Sequence, residues 1–211
     1  MRAEVDGPAG PLEALIDEPR PAGSAPPRAA VVFAHPHPQH GGTMHTKAVY
    51  QGAKGLAQIG CVVLRFNFRG VGASAGSFDD GDGEAADFRA AIDFIRGRHP
   101  DAPVWAAGFS FGSWVAMEVG AGDPRVTTLI GIAPPVKGRG YEFRRTLDTG
   151  KPKFLIQGDL DELCPLKDLW AFYAALKEPK ELVVIDGANH LFEGKAVEVG
   201  EALAGLLGDT E

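Results

Sequence analysis

Cysteine is scarce in this chain: Cys61 and Cys164 are the only two among 211 residues. Two thiols make no disulfide framework, and Cys61 opens a strand-like run, so it is expected to be a buried, reduced thiol. Basic clusters are missing too. Against 21 Lys and Arg stand 28 Asp and Glu, a net charge of −7, which argues against non-specific nucleic-acid binding. No apolar run approaches bilayer-spanning length, and Met1-Arg2-Ala3-Glu4-Val5-Asp6 lacks the apolar core of a signal peptide. A cytoplasmic protein without membrane association is therefore expected. There is no C-x-x-C, no H-E-x-x-H, no internal repeat and no low-complexity tail. What remains is ordinary for a folded protein, 45% hydrophobic and 23% charged, and its length suits one domain over residues 1–211.

Two short alternating segments around Gly7-Pro8-Ala9-Gly10 predict an opening hairpin, followed by a Pro-rich loop over residues 18–28. Strand and helix patterns then alternate. Strands are predicted at residues 30–33, 61–66, 103–107, 126–132, 153–157 and 182–185. Helices are predicted at 44–58, 84–97, behind Ser110, and near 166–177 and 195–207. Repeated strand–helix units imply a parallel sheet with helices on both faces, and sites in such sheets gather beyond the carboxyl ends of the strands.

Glycine is abundant, and with it the pattern G-x-S-x-G occurs twice, as Gly72-Ala73-Ser74-Ala75-Gly76 and as Gly108-Phe109-Ser110-Phe111-Gly112. The pattern can put a serine on a strained strand-to-helix turn with its hydroxyl exposed as a nucleophile. With 28 glycines in the chain it also arises easily by chance, so context decides. Ser110 follows an apolar strand and precedes the helix-like Trp114–Val119. Ser74 sits among glycines and is followed by acids, where no helix can start. Ser110 is therefore read as the nucleophile and Ser74 as a loop residue.

A serine hydroxyl needs a base to take its proton and a third group to orient that base. His190 lies in a turn after the last strand, and Gly158-Asp159-Leu160-Asp161-Glu162 follows the strand before it. Either residue alone is weak, since turn histidines and acids are mostly solvated. In the order Ser110, Asp161, His190, each after its own strand, they make a far more specific set. Asp159 is the main rival for the acid and Glu162 a weaker one.

The oxyanion formed on attack needs backbone N–H donors. Phe111, directly after the serine and at a helix N-terminus, is one. The second is sought in His35-Pro36-His37-Pro38-Gln39-His40-Gly41-Gly42. Proline has no N–H, which leaves His35 and His37 among its first four residues, and His37 is chosen. His35, His37, His40 and His45 also invite a metal reading, but no partner motif accompanies them, and neither metal nor cofactor is expected.

These residues together resemble the α/β-hydrolase superfamily, and within it the small cap-less prokaryotic members. The likeness is carried by Phe33-Ala34-His35-Pro36-His37-Pro38, Gly41-Gly42-Thr43-Met44 and Phe66-Asn67-Phe68-Arg69-Gly70-Val71-Gly72. It continues through Ser74, Gly76, Phe78-Asp79, Gly81, Gly83 and Glu84, and spans about residues 30 to 192. The resemblance implies an eight-stranded, mostly parallel sheet with a partly antiparallel start, and hydrolysis through an acyl-serine. It favours Asp161 as the acid and makes the Ser74 loop a shaper of the site. Related sequences are often labelled serine aminopeptidases or carboxylesterases.

Only residues 133–152 separate two strands where many superfamily members insert a cap, too few for one, so the site is expected to be shallow and open. Phe68, Phe109, Phe111, Trp114 and Phe143 are candidates to line an apolar acyl pocket, with His35 beside them, although Phe109 and Trp114 suit a core equally well. Such a site fits small carboxylic esters or thioesters. An aminopeptidase would need an acid for the substrate's amine, for which Asp79, Asp80 and Asp82 are available, although a solvated loop explains them as well. A third reading is a hydrolase fold kept for binding alone. Acyl length, alcohol preference and oligomeric state, a homodimer included, are left open by the sequence.

Overall fold

Ala30–Ala34, Val62–Phe66 and Val104–Phe109 are almost wholly apolar and buried along their entire length. Strands with both faces apolar must lie inside a sheet covered on both sides. A computed structural model, describing residues 1–19, 26–138 and 140–208, places them at the sheet's centre. Residues 20–25 of the Pro-rich loop lie outside the described residues. In chain order the strands are β1 (Arg2–Gly7), β2 (Gly10–Asp17), β3 (Ala30–Ala34), β4 (Val62–Phe66), β5 (Val104–Phe109), β6 (Val126–Ile132), β7 (Lys153–Gly158) and β8 (Lys180–Ile185). The helices are α1 (Lys47–Gln58), α2 (Asp82–Arg98), α3 (Phe111–Gly122), α4 (Arg144–Asp148), α5 (Leu166–Ala175) and α6 (Ala196–Gly208).

All eight strands form one sheet in the order β1-β2-β4-β3-β5-β6-β7-β8. The β1–β2 hairpin and the β2–β4 pairing are antiparallel, and every other pairing is parallel, as the resemblance implied. Side-chain alternation sorts the core into two layers. Val32, Leu64, Val104 and Ala106 pack with Phe88, Ile92 and Val115 of α2 and α3. Val31, Phe33, Trp105 and Ala107 pack with Val49 and Leu56 of α1 and with Val199 and Leu203 of α6.

The strand order also says where a site belongs. From β3 the chain steps outward to β4, then returns to place β5 on the opposite side of β3. The loops leaving β3 and β5 diverge at their carboxyl ends, and that crevice is where open α/β sheets hold ligands. The first of these loops carries His37, and the second carries Ser110.

Two details depart from the sequence reading. The helix anticipated from residue 44 begins only at Lys47, because the Met44 N–H donates to Asn67 Oδ1 at 2.8 Å and holds that stretch as a loop. The short α4 was not anticipated. Its first N–H groups, on Arg145 and Thr146, donate to the Glu118 carboxylate of α3, so a distant acid caps it. Between β6 and β7 there is no cap domain, and α4 is the one helix in that stretch among the described residues. No described helix is long and apolar enough to cross a membrane.

Candidate active site

The turn from β5 into α3 is tight enough to dictate its own residues. A Cβ on Gly108 would run into the Gly112 carbonyl, and one on Gly112 into the carbonyl of His35. Ser110, between them, has φ 52° and ψ −121°, a conformation that costs a non-glycine residue roughly 1–3 kcal/mol. It is held there by its N–H, which donates to the Ile132 carbonyl of β6 at 2.8 Å. Its own carbonyl accepts from Ser113 Oγ at 2.6 Å. The result lifts Oγ off the end of the sheet.

His190 and Asp161 arrive from the turns after β8 and β7. Those turns are stitched together, since the Leu160 N–H donates to the Ala188 carbonyl at 3.0 Å. His190 Nε2 lies 2.9 Å from Ser110 Oγ, and its Nδ1 lies 2.8 Å from Asp161 Oδ2. A carboxylate only accepts, so the Nδ1–H donates to it and Nε2 is left to accept the serine proton. Phe109 lies beneath the imidazole, with ring centroids 5.5 Å apart. Asp161 Oδ1 accepts the N–H groups of Leu163 and Cys164 at 2.9 and 2.8 Å. Of the two rival acids, Glu162 is exposed, and Asp159 Oδ1 is buried with no partner among the described residues.

Ser110, His190, Phe111 and His37 share the wall of one cavity of about 430 Å³. Phe111 is the first residue of α3, where N–H groups have no carbonyl a turn earlier to meet. The His37 ring lies 5.1 Å from that of Phe111 and 4.5 Å from that of His40. Its Nδ1 accepts the Gln39 N–H at 3.2 Å, closing the short 3-10 turn Pro38–His40.

Four residues assigned to the substrate do not reach this cavity. His35 is fully buried, with Nδ1 at 2.6 Å from the Pro36 carbonyl, while its Nε2 accepts the Phe68 N–H at 3.0 Å. Both nitrogens are thus engaged, and burial pushes its pKa down to about 4, so it is a neutral strut between the loops after β3 and β4. Phe68 is fully buried against His35 and Phe66 and backs Phe111 rather than the cavity. Phe109 sits on the α1/α6 side of β5, where alternation with Trp105 and Ala107 puts it. Phe143 packs against Phe172 of α5, in the opposite core layer. Trp114 is half-buried behind the wall, stacked on Tyr141, and its indole N–H donates to the Glu142 carbonyl.

The cavity is lined instead by Tyr141, Leu163, Leu191 and Pro135 on the apolar side and by His40 and Thr46 on the polar side. These come from irregular segments without periodicity, so no sequence pattern marked them. Among the described residues none that lines it is an acid, and Asp79, Asp80 and Asp82 lie on an exposed segment outside it. Among the described residues no three His, Cys, Asp or Glu side chains converge on a metal-sized site.

Ser74 is accounted for quite differently. Its Oγ donates to the Asn67 carbonyl at 2.7 Å and accepts the Glu13 N–H at 2.9 Å, tying its loop to β2. The loop nonetheless backs the site, because Phe78 packs on both His37 and Phe111. Its base is anchored by the buried ion pair of Arg69 with Asp87 at 2.8 Å.

Residues 25–149 match the family model described as serine aminopeptidase, S33. An uncharacterised protein of Rickettsia prowazekii is 36% identical over 206 residues, which cover 94% of this chain and 84% of the relative. Among solved structures, an α/β serine hydrolase homologue from Coxiella burnetii has a TM-score of 0.90 and 38% identity, over 98% of this chain and 97% of its own. A lidless α/β serine hydrolase from Xanthomonas campestris has a TM-score of 0.86 and 37% identity, over 96% of this chain and 91% of its own.

Proposed function

The chain belongs to the serine aminopeptidase S33 family of α/β hydrolases, and we propose that it is a cofactor-independent serine hydrolase of small carboxylic esters or thioesters. In this reading Ser110 attacks the acyl carbon while His190 Nε2 takes its proton. Asp161 orients the imidazole and stabilises the imidazolium. The N–H groups of Phe111 and His37 receive the oxyanion. His190 then returns the proton to the leaving alcohol or thiol, and water hydrolyses the acyl-serine by the same route reversed.

The observation that carries this reading is a serine–imidazole–carboxylate chain, at 2.9 and 2.8 Å, opening into a cavity with no acid in its lining among the described residues. A shallow wall of Tyr141, Leu163 and Leu191 suits a short apolar acyl or alcohol group. An aminoacyl amide would bring an ammonium into the same space with no carboxylate among the described lining residues to meet it, and desolvating that charge disfavours its binding. The family's descriptive name therefore does not decide the substrate.

The test is a panel of short-chain aryl esters, thioesters and aminoacyl anilides. Turnover is expected for the esters and thioesters and absent for the anilides. Anilide turnover exceeding that of the esters would reverse the assignment.

A further inference from the structure

The penultimate residue of β7 is Gln157, a fully buried amide whose side chain makes two hydrogen bonds, both toward the turn that carries Asp161. Nε2 donates to Asp161 Oδ2 at 2.9 Å and to the Cys164 carbonyl at 2.8 Å. Both neighbours only accept, so the amide cannot be turned around. The other half, Oε1, is buried with no partner among the described residues. Leaving such an acceptor unpaired weakens the fold, and an apolar side chain would avoid that cost. The oxygen that Gln157 holds is also the one that takes the His190 Nδ1–H.

From this geometry we infer that Gln157 is a positioning residue for the reaction. It fixes the rotation of the Asp161 carboxylate and draws off part of the charge on Oδ2 that would otherwise serve the imidazolium. It acts through Asp161 and touches no reacting atom. The inference rests on the reading of Ser110, His190 and Asp161 as the reacting chain. Asp159 is on the same turn, and the amide also bonds to the backbone of Cys164, whose thiol feels Asp161 and Asp168 of α5. Burial holds the Cys164 thiol up at about 11, so it does not titrate in the neutral range.

Two variants test it, each first checked for folding by thermal melting. Gln157→Met keeps length and removes both donors. Its kcat is expected to fall roughly tenfold from loosened geometry, with KM within about twofold. The acidic limb of kcat/KM is expected to move up by roughly half a pH unit, because Oδ2 keeps more charge for the imidazolium. Gln157→Glu keeps the shape but can donate only while protonated. Its kcat is expected to approach wild type at low pH and to fall as the proton shared with Asp161 leaves. This second variant carries the test alone if Gln157→Met unfolds.

A Gln157→Met enzyme with wild-type kcat and an unmoved acidic limb would overturn the inference. So would a Gln157→Glu profile parallel to wild type across pH. Full activity in Ser110→Ala would instead bring down the underlying reading. An inactive Ser110→Ala beside an unaffected Gln157→Met brings down only the role of Gln157.

Discussion

The two G-x-S-x-G segments share a spelling and nothing else. Around Ser110 the glycines are demanded by contact: the backbones of Gly112 and His35 stand where a Cβ would go. Around Ser74 they are demanded by torsion, with Gly72 at φ 59° and Gly76 at φ 84°. The strained residue of the first copy is the serine itself, whereas Ser74 is not among the residues with positive φ. The partners differ in the same sense. Ser110 faces an imidazole nitrogen able to take a proton, and Ser74 faces a carbonyl, which accepts a hydrogen bond but is no base near neutral pH. A pentapeptide can therefore specify a turn, but the strand it ends and the group it meets decide whether the serine reacts.

Serine replacement separates the copies most widely. Ser110→Ala is expected to lower kcat on a short aryl ester by roughly 10⁴-fold or more, with melting unchanged. Ser74→Ala is expected to keep the acyl-enzyme burst but to lose about 1–3 kcal/mol of stability, since two buried groups lose their partner. Stopped-flow and denaturant titration read both, and loss of the burst in Ser74→Ala would reverse the comparison.

Glycine replacement sharpens it. Gly112→Ala pushes on the His35 carbonyl, and so on the loop that carries His37; kcat is expected to drop about 100-fold. Gly76→Ala forces an L residue to positive φ and is expected to cost about 1–2 kcal/mol with kcat retained. Equal kinetic losses in the two variants would mean that both loops serve the chemistry directly.

The last effect is on stability alone and concerns His35, whose backbone carbonyl abuts the first copy and whose ring holds the N–H of Phe68 on the loop leading to the second. Its folded pKa of about 4 lies below its ordinary 6.5, so as pH falls the unfolded chain protonates first. The stability this residue contributes is complete above pH 6.5 and drains away toward pH 4, at about 1.4 kcal/mol per pH unit. His35→Gln, which can still donate to Pro36 and accept from Phe68, should flatten that slope in urea melts taken between those pH values. An unchanged slope would place the acid sensitivity elsewhere.

Much of this was legible in the sequence, and the rest was hidden for definite reasons. Strands such as Val104–Phe109 announced themselves as apolar runs bounded by Pro and Gly, and the meeting of the Ser110, His190 and Asp161 side chains needed only the rule that sites follow strands. Which phenylalanines line the cavity was not legible. Phe109 faces a core layer because of its register on β5, and Phe143 because α5 lies against it. The start of α1 was obscured by Asn67, 23 residues from the backbone it caps. Gln157 gave one faint sign, a neutral amide ending a buried strand just before an acidic turn.

The central claim is that of two look-alike serines only Ser110 is a nucleophile, and trypsin separates them. Ser74 falls in the peptide 70–89 and Ser110 in the peptide 99–125. After reaction with a fluorophosphonate, the mass of the adduct is expected on peptide 99–125 alone and is expected to vanish in His190→Ala. An adduct on peptide 70–89, or none on either, would contradict the account.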